Sequence, residues 1–190
     1  MEFPKTLIKR NGYIERIKPF MRKNIAKVLT GQRRVGKSFL LYQLMDQLLV
    51  EEPDANIIYI NFEDFAFSHI QTAEDMHAYI MSKFRKEKYN YIFVDEIQEI
   101  VNFERVIRSL LLNENNDIYI TGSNAKMLSG ELATYLSGRY IEFSVYSLSY
   151  LEFLAFHKLE NNNESLYLYS RYGGLPYLIN LPLKDETVNE

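Results

Sequence analysis

Apolar residues fall along this chain in two alternating rhythms. Five short runs are apolar almost throughout and rich in the β-branched and aromatic residues that suit a pleated, packed surface: 25–30 (IAKVLT), 56–62 (NIIYINF), 91–96 (YIFVDE), 117–122 (DIYITG) and 139–145 (RYIEFSV). Between them, over 37–50, roughly 73–87 and 102–113, apolar positions recur every three or four residues. In the last of these, Phe103, Val106, Ile107, Leu110 and Leu111 make one helical face. Strands without polar alternation are buried on both sides, and strands that alternate with helices connect in parallel. The pattern therefore predicts an α/β fold of three layers around a parallel sheet. Beyond Val145 the rhythm turns helical, in SLSYLEFLAFHKL, ESLYLYSRY and GGLPYLINL, while 160–165 (ENNNES) reads as a loop. The expected organisation is a basic lead-in helix over 1–24, a core over 25–146 and a helical segment over 147–190.

The first strand breaks into the first helix at Gly31-Gln32-Arg33-Arg34-Val35-Gly36-Lys37-Ser38. This fits G-x-x-x-x-G-K-[ST] in the strand-to-helix context that gives the motif its meaning. The glycines let the backbone curl so that successive N–H groups and the helix N-terminus face one anion. Lys37 is placed to reach the β and γ phosphates of a nucleotide, and Ser38 Oγ to ligate Mg²⁺. Residues 31–38 and Phe39, the next residue of the helix, are the candidate nucleotide contacts. For Arg33 and Arg34, exposed loop arginines are the plainer reading.

A phosphate loop alone does not separate a kinase, a G protein and an ATPase. The third strand ends in Asp95 and Glu96, at the sheet edge where open α/β folds bind ligands. A carboxylate there can hold the metal shell opposite Ser38, and its neighbour can polarise an attacking water. Gln98 and Glu99 read as the solvent-facing start of the next helix. The fourth strand ends TGSN, where Thr121, Ser123 or Asn124 could sense the γ phosphate or simply start a helix.

Composition narrows the picture. The 190 residues carry a net charge of -3, no cysteine and three scattered histidines, which excludes disulfides and thiolate metal sites and makes a histidine metal cluster an unattractive reading. The N-terminus lacks an apolar leader core, and no apolar run is long enough to span a bilayer, so the expected location is the cytoplasm, with no membrane partner. Half of the 22 Lys and Arg lie in the first 37 residues beside only two acids. That excess makes DNA a candidate partner, although a solvated helix face is the commoner meaning of such a run. The 15 tyrosines and 12 phenylalanines lie mostly in strand runs or at helical spacing, where core packing explains them better than base stacking.

The succession GQRRVGKS, VDEIQE, ITGSN and LSGRY resembles the AAA+ ATPases, in particular a bacterial and archaeal branch whose ATPase domain precedes a C-terminal domain described as nuclease-like. The resemblance covers about residues 8–180. It implies a five-stranded parallel sheet in the order 5-1-4-3-2, with ATP and Mg²⁺ as ligands. Lys37, Ser38, Asp95 and Glu96 would take the roles given above. It also implies an arginine finger at Arg139, acting on a neighbouring copy and so pointing to a homo-oligomer, and a lid that begins at Gly173–Pro176, with Pro176 near the base. No arginine follows Pro176 to act as a second sensor; Arg171 is the nearest substitute. Family members continue for a comparable length beyond this one, which makes the chain a candidate fragment. The function expected is Mg-dependent ATP hydrolysis that drives change in an attached or bound partner. A nucleotide-gated switch with negligible hydrolysis and a P-loop kinase are the alternatives. A GTPase is disfavoured because no N-K-x-D occurs.

Overall fold

The five expected strands form: β1 (Ala26–Gly31), β2 (Asn56–Asn61), β3 (Asn90–Asp95), β4 (Asn116–Ser123) and β5 (Tyr140–Ser144). In the computed structural model, which describes residues 8–123, 135–181 and 183, every strand pair is parallel. The order is β2-β3-β4-β1-β5, the expected order read from the other edge.

Alternation of side chains divides the sheet into two faces. On one, Val28, Ile58, Ile60, Ile92, Val94, Ile118 and Ile120 form a continuous apolar core with α3 (Ala73–Ser82) and α4 (Phe103–Leu110). On the other, α2 (Lys37–Glu51) packs against β1, β3 and β4, burying Leu40, Leu41, Leu44, Met45 and Leu48. At the centre of that second face Phe93 and Tyr119 pair in register and stack, with ring centroids 4.5 Å apart and planes 6° from parallel. α1 (Asn11–Ile17) packs on α2 through buried Ile17.

The helices follow the apolar rhythm, and α2 runs the expected length, but α3 and α4 stop earlier than it predicts. α3 starts on a reciprocal capping box between Thr72 and Asp75 and ends at Ser82, not near 87. The reason lies in three asparagines aligned by strand register, Asn56, Asn90 and Asn116. Asn56 Nδ2 donates to Lys83 O, and Arg85 N donates to Asn90 Oδ1, so side chains rather than a further helical turn satisfy the backbone there. Asn116 Nδ2 likewise donates to Leu110 O at the end of α4.

The described chain falls into two compact units. One comprises residues up to Gly31 together with Lys37–Ser144; the other comprises Gln32–Gly36 and the residues from Val145. In the second unit α5 (Tyr150–His157) starts on a capping box between Ser149 and Glu152, and α6 (Asn163–Tyr172) is capped by Asn162, which accepts from Ser165 N. The stretch 160–165, expected as a loop, therefore ends as the first turn of a helix: an asparagine at the N-cap makes the polar run a helix start. Tyr169 binds α6 to α5, its ring packing on Phe153 and its hydroxyl donating to Leu148 O. Gly174 allows a close backbone approach, because Leu148 N donates to its carbonyl and a Cβ at Gly174 would collide with Leu148 O. A 3-10 turn, Pro176–Asn180, follows.

Candidate functional site

The C-terminal edge of the sheet gathers the polar residues that the sequence singled out. β1 ends at Gly31 and α2 begins at Lys37, whose ammonium donates to Gly31 O at 3.2 Å and lies 3.6 Å from Glu96 Oε1. Lys37, Asp95 and Glu96 are all buried, and Ser38 is half-buried one residue into α2. Asp95 closes β3, and Glu96 follows in the left-handed conformation, with φ 52° and ψ 47°. A non-glycine residue there is strained, and such strain concentrates at functional sites. Thr121, on the neighbouring strand and on the same face as Asp95, ties the pair together: its hydroxyl donates to Asp95 Oδ1 and accepts from Glu96 N at 3.0 Å.

Burial pushes the Asp95 carboxyl above its ordinary range. The Ser38 and Thr121 hydroxyls and the Lys37 charge pull it back, while Glu96 adds to the rise. Its second oxygen, Oδ2, is buried without a hydrogen-bond partner. An unsatisfied buried carboxylate oxygen beside a serine hydroxyl is the kind of hard oxygen donor set that suits Mg²⁺, so Ser38 and Asp95 fit the metal expected from the sequence.

Gln98 was expected to face solvent, and it does not. A one-turn 3-10 helix, Ile97–Glu99, folds it back under the strand end, where it is buried and donates from Nε2 to Glu96 Oε2 at 2.5 Å. Glu99 is exposed, as expected. The signal available for Gln98 was its distance of two residues from Glu96, which a tight turn converts into contact.

The loop Gln32–Gly36 belongs to the second unit. Val35 is buried there, while Gln32, Arg33 and Arg34 are exposed. Arg34 (φ 67°) and Gly36 (φ 94°) both take the left-handed backbone that lets such a loop curl. Pro176 lies against Gly36: its Cγ would be 3.7 Å from a Cβ built on the glycine. Phe39 is 46% exposed on the first turn of α2, with its ring edge on Tyr42. Arg171 binds the Tyr167 hydroxyl and lies over the rings of Tyr167 and Tyr172.

Arg139 is exposed immediately before β5, and its carbonyl accepts from Ala26 N at the start of β1. It thus lies at the end of the sheet opposite Gly31, roughly 20 Å away along the strands. With Arg105 and Arg108 it lines an open cleft of about 490 Å³. Glu142, three residues further along, accepts from the Thr30 hydroxyl at 2.6 Å. Asn124 lies outside the described residues. Much of the N-terminal basic excess is used internally: Arg10, Lys27 and Lys37 are buried, and Arg22 binds Glu52 and Tyr91.

Comparison with known proteins bears on this geometry. A family model described as an AAA domain matches residues 23–154. The chain belongs to the AAA family. An uncharacterised protein of Haemophilus influenzae is 38% identical over 192 residues, covering 98% of this chain and 47% of the relative. An uncharacterised protein of Methanocaldococcus jannaschii is 34% identical over 134 residues, covering 70% of this chain and 29% of the relative. The chain thus spans about half, or less, of the length of these relatives. AMPPCP-bound DnaA from Aquifex aeolicus has the same fold, with a TM-score of 0.59 at 15% identity over 92% of this chain and 61% of that one. AAA membership makes this a P-loop, nucleotide-binding domain of the ATPase class. No described helix is long and apolar enough to cross a membrane.

Proposed function

We propose that this AAA domain binds ATP with Mg²⁺ and hydrolyses it to drive a conformational change in an attached or bound partner. The carrying observation is the cluster at the sheet edge: buried Asp95 with one oxygen unsatisfied, held by Thr121 beside a strained Glu96 that sits 3.6 Å from Lys37. Residues Gly31–Phe39 supply the phosphate cradle, with Pro176 near the base by the resemblance. Lys37 exchanges Glu96 for the β and γ phosphates when nucleotide enters. Ser38 and Asp95 would hold the metal, which would neutralise charge on the phosphate oxygens. Glu96 takes a proton from water as the water oxygen bonds to the γ phosphorus; the bond from phosphorus to the bridging oxygen breaks, and its electron pair leaves with ADP. Asn124, one residue past β4, is the candidate sensor of the γ phosphate, with Thr121 setting the distance between strand and base.

Two substitutions test this reading. Lys37→Ala abolishes ATP binding, whereas Glu96→Gln preserves binding and lowers phosphate release by roughly 10²–10⁴-fold, the range for general-base catalysis. Equal loss of binding in both would remove Glu96 from that role. A wild-type chain that binds ATP yet releases no phosphate would favour the gated switch.

Arg139 is assigned to the active site of a neighbouring copy, because its place at the far end of β5 keeps it from its own loop. Guanidinium forks suit phosphoryl oxygens, and such fingers are worth about 10³–10⁵ in rate. Arg139→Ala and Lys37→Ala chains, each inactive alone, are expected to recover part of the activity when mixed. No recovery despite shown association would overturn the assignment. The partner driven is the attached C-terminal, nuclease-like region that the resemblance implies. DNA binding by the N-terminal segment is the weaker proposal; it predicts an affinity that falls steeply with salt and survives removal of ATP.

A further inference from the structure

Gln98 is buried at 9% exposure, and its two amide atoms have different fates. Nε2 donates to Glu96 Oε2, while Oε1 is buried with no partner. The orientation is dictated chemically: a carboxylate only accepts, so the amide nitrogen must face it and the carbonyl oxygen must point away. Buried amide oxygens without a donor are rare and call for an explanation. Nothing in the packing of Ile97 and Ile100 around this turn requires an amide there; a methionine would fill the same volume.

We infer that Gln98 Oε1 is the second acceptor for the water that attacks ATP. The reading rests on the hydrolytic role proposed for Glu96. A water seated alongside this hydrogen-bonded pair would give one hydrogen to Glu96 and the other to Gln98 Oε1, leaving a lone pair directed at the γ phosphorus. Two acceptors fix an orientation that one cannot, and orientation of this kind contributes to rate without contributing to ground-state binding. The Nε2 bond has a separate use: it holds Glu96 in its left-handed conformation with its carboxylate at the strand end.

The test uses the full chain with Mg²⁺ and three measurements: the Kd for ATP, the rate of phosphate release, and the affinity for ADP with tetrafluoroaluminate, which mimics the γ phosphate with its attacking water. Gln98→Met removes both amide functions, and Gln98→Lys keeps a donor for Glu96 while offering water no acceptor. In both, the Kd for ATP is expected to stay within about 2-fold, and phosphate release and tetrafluoroaluminate affinity to fall together by roughly 10–100-fold. Wild-type rates in Gln98→Lys would show that Gln98 only anchors Glu96, and would overturn the inference. So would ATP binding that weakens in step with hydrolysis, or tetrafluoroaluminate affinity that does not change. If Gln98→Met fails to fold, the Gln98→Lys chain decides. Glu96→Gln measured alongside separates the two readings: normal turnover in it would refute the role of Glu96, whereas loss of turnover in it with full turnover in both Gln98 variants would refute only that of Gln98.

Discussion

The same face of the sheet carries a buried lysine and a buried aspartate at each end, and the two pairs are treated differently. At the N-terminal end of the strands, Lys27 is fully buried and donates to Lys23 O, Ile25 O and Asp117 Oδ1. Asp117 in turn accepts from Arg22 N and the Tyr119 hydroxyl. Burial lowers the Lys27 ammonium below its ordinary range, while Asp117 pulls it back up. At the other end, roughly 13 Å along β4, Asp95 keeps one oxygen unsatisfied, Gln98 keeps another, and Lys37 stands 3.6 Å from Glu96. Saturation marks the end that holds the lead-in segment on the sheet. Unsatisfied oxygens mark the end proposed above to bind ATP and Mg²⁺.

Matching substitutions sharpen this contrast. Asp117→Asn leaves the Lys27 charge buried and unanswered, and breaking a buried pair in this way costs about 3–5 kcal/mol, a fall in Tm of roughly 6–20 °C for a chain of this size. Scanning calorimetry checks it; a change of a degree or two would mean that water enters and solvates Lys27. The same substitution at the other end, Asp95→Asn, removes a charge that burial already disfavours. It is expected to hold or raise Tm in the absence of nucleotide while abolishing Mg-dependent ATP binding, as read by titration with and without Mg²⁺. A fall as large as that for Asp117→Asn would erase the contrast. The smallest effect is at the margin of the saturated network, where Arg22 meets Glu52 at 2.8 Å with both side chains partly exposed. Glu52→Gln should cost no more than about 1 kcal/mol, and less at high salt.

How much of this was legible in the sequence varied with the range of the signal. The strand runs and the phosphate loop are local patterns, and they were enough for a parallel α/β sheet and for the positions of Lys37, Ser38, Asp95 and Glu96, whereas the order of the strands came only with the family resemblance. Helix ends were misjudged where Asn56, Asn90 and Asn116, far apart in sequence, come into register and terminate helices from neighbouring strands. Gln98 was misplaced for a related reason. Polar spacing after a strand looks like a solvated helix start, and only the left-handed turn at Glu96 directs the chain back under the sheet. Thr121 was one of three candidates in its turn until strand pairing put it beside Asp95. The acidic balance of the chain concealed a different error: basic residues of the first 37 positions that read as surface charge include Arg10 and Lys27, which are interior.

The stacked rings of Phe93 and Tyr119 lie between the two ends, and they have an optical consequence. The chain contains no tryptophan, so its near-ultraviolet circular dichroism comes from tyrosine and phenylalanine. Tyr119 is pinned on both sides, by the Phe93 ring and by the Asp117 carboxylate. It therefore adds to a band that it shares with other held tyrosines, Tyr91 and Tyr169 among them, and loss of the band with the far-ultraviolet spectrum retained is the signature of a fold that keeps its strands and helices but no longer its side-chain order.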